Sequence, residues 1–379
     1  MMARWTAVLW ASAFAGCWAE PRVDGHFSEA EWAYLQTYRL PPLDPCPPRL
    51  GLAGAQCDDA AALGQALFFD PSFSGPLAIA DDGVNGGLGA IGERGKVSCA
   101  SCHMPDAWFA DRRSNPAATS LGAAWTGRNA TSLVNAAYQR SFLMHGEFTE
   151  LAPLLEVPLT RPALLNSSKQ ELAAAIRARY QARYDAIFEP DLGGSDDEQI
   201  FVAASVAIEA YERRLVSGGS AFDRYLDEQW DAIPESAKRG LALFIGPALC
   251  SECHDGPLLG DGEFRNTGVQ QHRPGASIAF VPATDLGRGR HTGDPADDGK
   301  FRTPGLRNVA ETGPYMHAGQ IPTLAGVVEF YRWGGDDAGF AGVKDPMMVP
   351  LELGDEDAAD LVAFLETLTG EAVPAELRR

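Results

Sequence analysis

"VSCASCHMPD" (residues 97–106) sets two cysteines, separated by two residues, directly before a histidine. Three chemistries use such a turn: a zinc knuckle, a thioredoxin-type dithiol and a covalent heme anchor. A second copy decides between them. "ALCSECHDGP" (248–257) repeats the pattern, so Cys99, Cys102 and His103 are matched by Cys250, Cys253 and His254. C-x-x-C-H is the attachment pattern of c-type heme, in which the thiols add to the two vinyl groups and the adjacent histidine reaches the iron. Zinc would need four soft ligands drawn together. It would have to recruit both distant cysteine pairs and would leave both histidines without a role. A dithiol oxidoreductase motif belongs at a strand-to-helix turn, but the surroundings here are helix and Gly-rich loop, "DDGVNGGLGAIGERGK" (81–96) before the first copy. The reading is two covalent hemes, with His103 and His254 as proximal iron ligands.

Working outward, apolar residues recur at three-to-four spacing in "SKQELAAAIRARYQARYDAIF" (168–188) and "DEQIFVAASVAIEAYERRLVS" (197–217), which predicts two amphipathic helices. "DDAAALGQALFFDPSFSG" (58–75) reads as a short helix ending in a turn, and "SAKRGLALFIG" (236–246) as a helix leading into the second motif. "DEDAADLVAFLETLTG" (355–370) predicts a closing helix capped by Asp and ended by Gly370. No run alternates strictly enough for a sheet. The fold class is therefore mainly α, with two c-type cytochrome-like heme domains and long loops. The expected organisation is a signal peptide over 1–17, an extended proline-punctuated leader over 18–56, an N-terminal heme domain over 57–235 and a C-terminal one over 236–373. The motif spacing suggests an internal duplication.

A chain of 379 residues that is 45% hydrophobic can fill two cores. Its net charge of −20 argues against nucleic acid, because no Lys/Arg-rich face is available for phosphates. An acidic surface suits a basic protein partner such as a small cationic electron donor, although acidity also serves solubility alone. "MMARWTAVLWASAFAGC" (1–17) reads as a signal peptide, too short for a stable bilayer anchor. It implies a periplasmic location. "AFAGC" resembles a lipobox that would place a lipid on Cys17; cleavage after Ala13–Ala15 is the alternative. Of seven cysteines, four serve the hemes, and Cys46 and Cys57, flanking a Pro/Gly-rich loop, are a candidate disulfide. No later segment is long and apolar enough to span a membrane, so any membrane contact would run through the N-terminal lipid.

With these residues on the page, the chain resembles the bacterial di-heme cytochrome c peroxidases and their MauG-type relatives. Both C-x-x-C-H motifs, "GRNATSLVNAAY" (127–138), "FRTPGLRNVAETGPYMHAG" (301–319) and "PTLAGVVEFY" (322–331) carry the resemblance. It implies that hydrogen peroxide (or dioxygen) meets the first heme and that the second passes electrons, drawn from a small cytochrome or a protein substrate. It also implies a distal ligand of heme 2 fourteen residues after His317, which is Tyr331. The peroxidase branch places a methionine there and the MauG-type branch a tyrosine, a hard anionic ligand that favours ferric iron. Packing on an apolar helix face is the plainer role for Tyr331. One calcium ion between the lobes is implied, held by the Asn129 side chain with the Thr312 and Pro314 carbonyls.

The pattern breaks in "FLMHGEFTELAPLLEVPLTRPALLN" (142–166), which corresponds to the distal wall of heme 1. Anchored on Gly146 and Pro158, the family's bridging Trp becomes Met144, its Gln becomes Leu154 and its Glu becomes Leu164. Splitting an O–O bond needs a base to move a proton between the oxygens, and leucine has none to offer. His145, Glu147, Glu150 and Glu156 lie nearby in sequence as substitutes. Two readings follow: an exported di-heme peroxidase-type enzyme, or a non-catalytic electron-transfer or heme-sensing protein with Met144 or His145 on heme 1. His26, His272 and His291 are expected to be solvated, Met104 to pack, and His317 to serve a propionate or the inter-heme network. Trp108, Trp125 and Trp333 are either packing residues or electron-hopping stations.

Overall fold

The structure is a computed structural model that describes residues 22–79, 88–112, 119–271 and 284–379. In chain order its helices are α1 (Glu29–Leu35), α2 (Ala55–Phe69), α3 (Leu151–Leu154), α4 (Glu156–Thr160), α5 (Lys169–Arg179), α6 (Gln181–Asp185), α7 (Asp197–Glu212), α8 (Ala221–Leu226), α9 (Glu235–Ile245), α10 (Gly289–Thr292), α11 (Leu324–Arg332) and α12 (Asp355–Glu366). Two-residue strands β1 (Phe264–Arg265) and β2 (Phe301–Arg302) pair antiparallel. Among the described residues no helix is long and apolar enough to cross a membrane. The signal-peptide and lipobox expectations, Cys17 included, and His272 lie outside the described residues.

Each half of the chain rests on one pair of crossing helices. In the first, α2 meets α7 so closely that a Cβ on Gly64 would lie 1.9 Å from the Ala207 carbonyl oxygen. In the second, α9 meets α12, and a Cβ on Gly240 would lie 1.9 Å from the Asp360 carbonyl oxygen. Arg239 clamps that crossing through two bonds to Asp360, at 2.6 and 2.8 Å. One heme motif follows α2 and the other follows α9, so each sits beside its own helix pair. Local signals start the helices as read: Asp196 and Gln199 form a reciprocal capping box before α7, and the Ser168 side chain caps α5.

Three expectations are corrected. Residues 18–56 are more than an extended leader: α1 forms behind a Ser28–Glu31 capping box, and Phe27, Leu35 and Tyr38 are buried in the C-terminal core with Phe222 and Tyr225 of α8. Burying side chains of this size contributes roughly 1.5–3 kcal/mol each, which makes the segment part of that core. The helix expected over 168–188 breaks at Tyr180, whose hydroxyl, together with Arg179, is drawn onto Asp70. The last helix starts from Gly354 and ends at Thr367, while Gly370 lies beyond it and donates its N–H to Asn308. The disulfide between Cys46 and Cys57 is present and ties the N-terminal segment to α2.

Candidate functional site

Both heme motifs fold into the same turn. Cys99–Ser101 and Cys250–Glu252 are single 3-10 turns, closed by the His103 N–H on the Cys99 carbonyl (2.9 Å) and the His254 N–H on the Cys250 carbonyl (2.8 Å). His103 Nδ1 then faces the carbonyl oxygens of Phe109 and Thr131 at 3.1 and 3.0 Å, and His254 Nδ1 faces the Leu259 carbonyl at 2.9 Å. A carbonyl only accepts, so both Nδ1 atoms carry the proton and both Nε2 atoms keep a lone pair for a metal. Burial holds both imidazoles below their ordinary pKa, in the neutral form that such a bond needs. Cys99, Cys102, Cys250 and Cys253 are all free of disulfides. Burial pushes the Cys99 and Cys250 thiols up to about 12, the opposite of the depressed thiol of a dithiol oxidoreductase.

A cavity of about 810 Å³ opens beside the first motif, lined by Cys99, Cys102 and His103. That is within the roughly 300–1,000 Å³ of sites that enclose a large ligand. Met144, His145, Leu154, Pro158, Leu164 and Trp125 all line it. The two leucines bring no proton-transfer group. Glu156 and Glu150 are exposed, and Glu156 pairs with Lys169. His145 and Glu147, by contrast, form part of the wall and touch each other: His145 Nε2 lies 2.9 Å from Glu147 Oε2. Arg128 Nη1 donates to His145 Nδ1 at 2.8 Å while its Nε and Nη2 hold Asp285 at 2.7 and 2.8 Å. Arg302 also lines the cavity, pairs with no carboxylate among the described residues, and is pushed down to about 10 by burial. A guanidinium so placed suits an anionic group such as a heme propionate. Cavity size, paired thiols, oriented imidazole and unpaired arginine all fit a c-type heme.

At the second motif, Tyr331 lies near the end of α11, half-buried, with burial and then the Cys253 and Cys250 sulfurs raising its phenol above the ordinary range. Its hydroxyl has no hydrogen-bond partner among the described residues. His317 is buried and stacked on Phe301 (4.1 Å between centroids, 8° between planes), with Arg128 5.1 Å from the far ring. Its carbonyl accepts the Asn129 N–H at 2.9 Å. For the calcium set, Asn129 is buried and its Oδ1 accepts from Ser120 at 3.3 Å, while Thr312 Oγ1 turns to the Val309 carbonyl. Among the described residues no cluster of three or more His, Cys, Asp or Glu could hold a metal ion.

Several residues of the cavity were not singled out from sequence. His291 is exposed, as expected, and also lines the cavity, with its ring 6.0 Å from His145. His26, read the same way, pairs with Glu235 at 2.9 Å. Arg128 stands inside a quoted motif, "GRNATS", where a basic residue between small ones in an acidic chain was a signal available to the eye. Glu209 and Glu212 project from successive turns of α7 into the same cavity. Arg49, Arg213 and the Ala152 N–H hold Glu209, whereas Glu212 has no such partner among the described residues and is pushed up to about 8, first by burial and then by Glu209. Because its folded pKa is above its unfolded one, the native state binds the extra proton and loses stability as pH rises from about 4.5 to about 8. Glu212→Gln is expected to flatten that decline in urea melts at pH 5 and pH 8. An unchanged pH slope would show that Glu212 is ionised in the folded chain.

Comparison with known proteins adds the following. The family model "Di-haem cytochrome c peroxidase" matches residues 58–231, and the model "Cytochrome c" matches 237–369. The chain is 33% identical to cytochrome-c peroxidase IdrP1 of Denitromonas iodatirespirans over 87% of both chains. It is 30% identical to methylamine utilization protein MauG of Methylorubrum extorquens, over 97% of this chain and 94% of that one. Among solved structures, a MauG-like protein associated with microbial copper homeostasis superposes with a TM-score of 0.70 at 29% identity, covering 90% of this chain and 97% of that one. The diheme peroxidase BthA of Burkholderia thailandensis gives 0.67 at 26%, covering 89% and 92%.

Proposed function

The chain belongs to the di-haem cytochrome c peroxidase family, and on that footing we propose that it reduces hydrogen peroxide at the heme of the first motif with electrons that pass through the second. It is a mainly helical oxidoreductase of the peroxidase type with two heme cofactors. Cys99 and Cys102 would hold the first heme, with His103 as the ligand of its iron; Cys250 and Cys253 would hold the second, with His254 and Tyr331 as candidate iron ligands. When bound, the first heme supplies the iron at which peroxide is reduced and the second an electron relay. The chain's own part is to orient both imidazoles by backbone carbonyls, to offer the first group a cavity of about 810 Å³ and to line that cavity with Arg302, which would receive an anionic group. The repeated carbonyl-held histidine beside a pair of cysteines is the observation that carries this reading.

The Leu154 and Leu164 side chains in the cavity wall favour a second reading, a non-catalytic electron-transfer or sensing protein. Its candidate ligand His145 is poorly suited, since Arg128 and Glu147 occupy both ring nitrogens. Mixing the purified two-heme protein with peroxide and a reduced, small basic c-type cytochrome separates the two. Oxidation of the cytochrome, with a first heme that binds cyanide, supports the enzyme. Two low-spin hemes indifferent to cyanide and peroxide would support the alternative.

The donor is proposed to dock where α11 ends. Trp333 is 68% exposed two residues past Tyr331, and Val343, Met347 and Val349 are exposed nearby. Gly334 packs on Val349 and Lys344 bonds the Gly334 carbonyl, which holds these loops together. Asp337, Asp355 and Glu356 are largely exposed in the same stretches of chain. An apolar centre with acidic surroundings suits a basic electron-transfer protein. Trp333→Ala is expected to raise KM for the cytochrome by about tenfold, the scale of an aromatic anchor, while the reaction with peroxide alone is unchanged. An unaltered KM would move the docking site elsewhere. Export to the periplasm, with lipid on Cys17, and a calcium ion on Asn129, Thr312 and Pro314 complete the reading. They rest on the N-terminal sequence and on the family resemblance respectively.

A further inference from the structure

We infer that Glu147 is the acid–base group of the first heme cavity, standing in for the absent glutamine and glutamate, with His145 and Arg128 as its positioning residues. The inference rests on the peroxide reading above. The geometry runs as a chain of bonds whose donors are fixed. Arg128 is locked by two bonds to Asp285, at 2.7 and 2.8 Å, and its third contact donates from Nη1 to His145 Nδ1 at 2.8 Å. A guanidinium has no lone pair to offer, so His145 Nδ1 must be the acceptor and its proton sits on Nε2. That proton points at Glu147 Oε2, 2.9 Å away, which also receives Arg161 Nη2 at 3.4 Å. Glu147 Oε1 takes part in none of these bonds and is free to meet a substrate. Arg128, His145, Glu147, Arg161 and Asp285 all line the cavity that Cys99, Cys102 and His103 line.

The other carboxylates near the cavity are less suited. Glu209 is held by two arginines, and Glu212 is held toward its protonated form by burial. Glu150 and Glu156 are exposed and line no part of the cavity. Backbone packing supports the placement of Glu147: a Cβ on its neighbour Gly146, whose φ is +70°, would lie 2.1 Å from the Phe264 ring, and Arg288 donates to the His145 carbonyl at 3.3 Å. The loop is thus pinned against the second half of the chain.

In the step assigned, Glu147 takes the proton of one peroxide oxygen and returns it to the other. The O–O bond breaks and the doubly protonated oxygen leaves as water. Two electrons from the reduced donor protein and two protons from solvent convert the remaining oxygen to a second water, so that H2O2 + 2 e− + 2 H+ gives 2 H2O. General acid–base groups of this kind contribute about 10²–10⁴-fold.

The test uses the full two-heme protein with Glu147→Gln, Glu147→Asp and, as a control away from the cavity, Glu150→Gln. Heme content and the ferric spectrum are read first, then the rates at which peroxide and cyanide perturb the Soret band. Cyanide binds as the anion, so a base that removes the proton of HCN speeds its entry without any turnover. Glu147→Gln is expected to slow both rates by about 100-fold or more at unchanged heme content, Glu147→Asp to restore part of the rate, and Glu150→Gln to match wild type. Wild-type rates in Glu147→Gln would overturn the assignment. If the parent protein ignores peroxide yet binds cyanide at a rate that depends on Glu147, the base stands and the peroxidase reading falls. If Glu147→Gln loses its heme, Glu147→Ala carries the comparison, and a wild-type cyanide rate there overturns the assignment equally.

Discussion

Replacing Cys99 and Cys102 together with alanine should leave a protein that carries one covalent heme instead of two, counted by pyridine hemochrome after denaturation. Replacing Cys250 and Cys253 should remove the other one. The two losses are expected to be independent, because each motif closes its own turn and each histidine is oriented by carbonyls of its own lobe. Their consequences for stability should differ. The first motif lines a cavity of about 810 Å³. Its wall includes Leu151, Leu154, Leu155 and Leu165, and leaving such apolar surface to water without the heme is unfavourable. A first lobe that cannot retain its heme must therefore flood or collapse around the gap. The Cys99/Cys102 variant is expected to lose its first-lobe thermal transition, while the α9–α12 core melts near its usual temperature. Two hemes retained in either variant, or zinc in place of heme, would end the di-heme reading.

What could be read from sequence, and what could not, follows from how local each constraint is. Covalent heme attachment forces two thiols and an imidazole into one turn, so Cys99, Cys102, His103 and their second copies had to be neighbours in the chain. The register from His317 to Tyr331 is likewise carried by a few contiguous residues. The base of the cavity is different. Arg128, Glu147, Arg161 and Asp285 reach the same wall from loops up to 157 residues apart, and the quoted segment alone could not distinguish Glu147 from Glu150 or Glu156. The burial of α1 was hidden for the same reason: its partners Phe222 and Tyr225 come from α8. Helix ends were missed where a tertiary bond outweighed propensity, as when Asp70 drew Arg179 and Tyr180 out of line. The breaks in the family pattern were legible, since Leu154 and Leu164 do line the cavity. What stands in for the lost groups became visible only once the loops were in place.

Tyr331→Met is expected to raise the midpoint potential of the second heme by an amount on the order of hundreds of millivolts, within the roughly 0.8 V that axial ligands span. The sign follows from ligand chemistry. A phenolate is a hard anion that stabilises ferric iron, whereas a thioether is neutral and soft and stabilises ferrous iron. In Tyr331 the hydroxyl bonds to nothing among the described residues, and burial raises the phenol above its ordinary range. A half-buried hydroxyl left without a partner is costly, and an iron that displaces its proton would remove that cost. Tyr331→Phe separates ligation from packing, since it keeps the ring against Phe330 (5.4 Å between centroids) and deletes only the oxygen. That variant should show a high-spin second heme with an open or water-filled position by magnetic circular dichroism, at unchanged heme count. Redox titration of the three proteins gives the decision. If both variants keep the parent's spectrum and potential, Tyr331 is a packing residue of α11, and the second heme takes its distal ligand from another part of the chain.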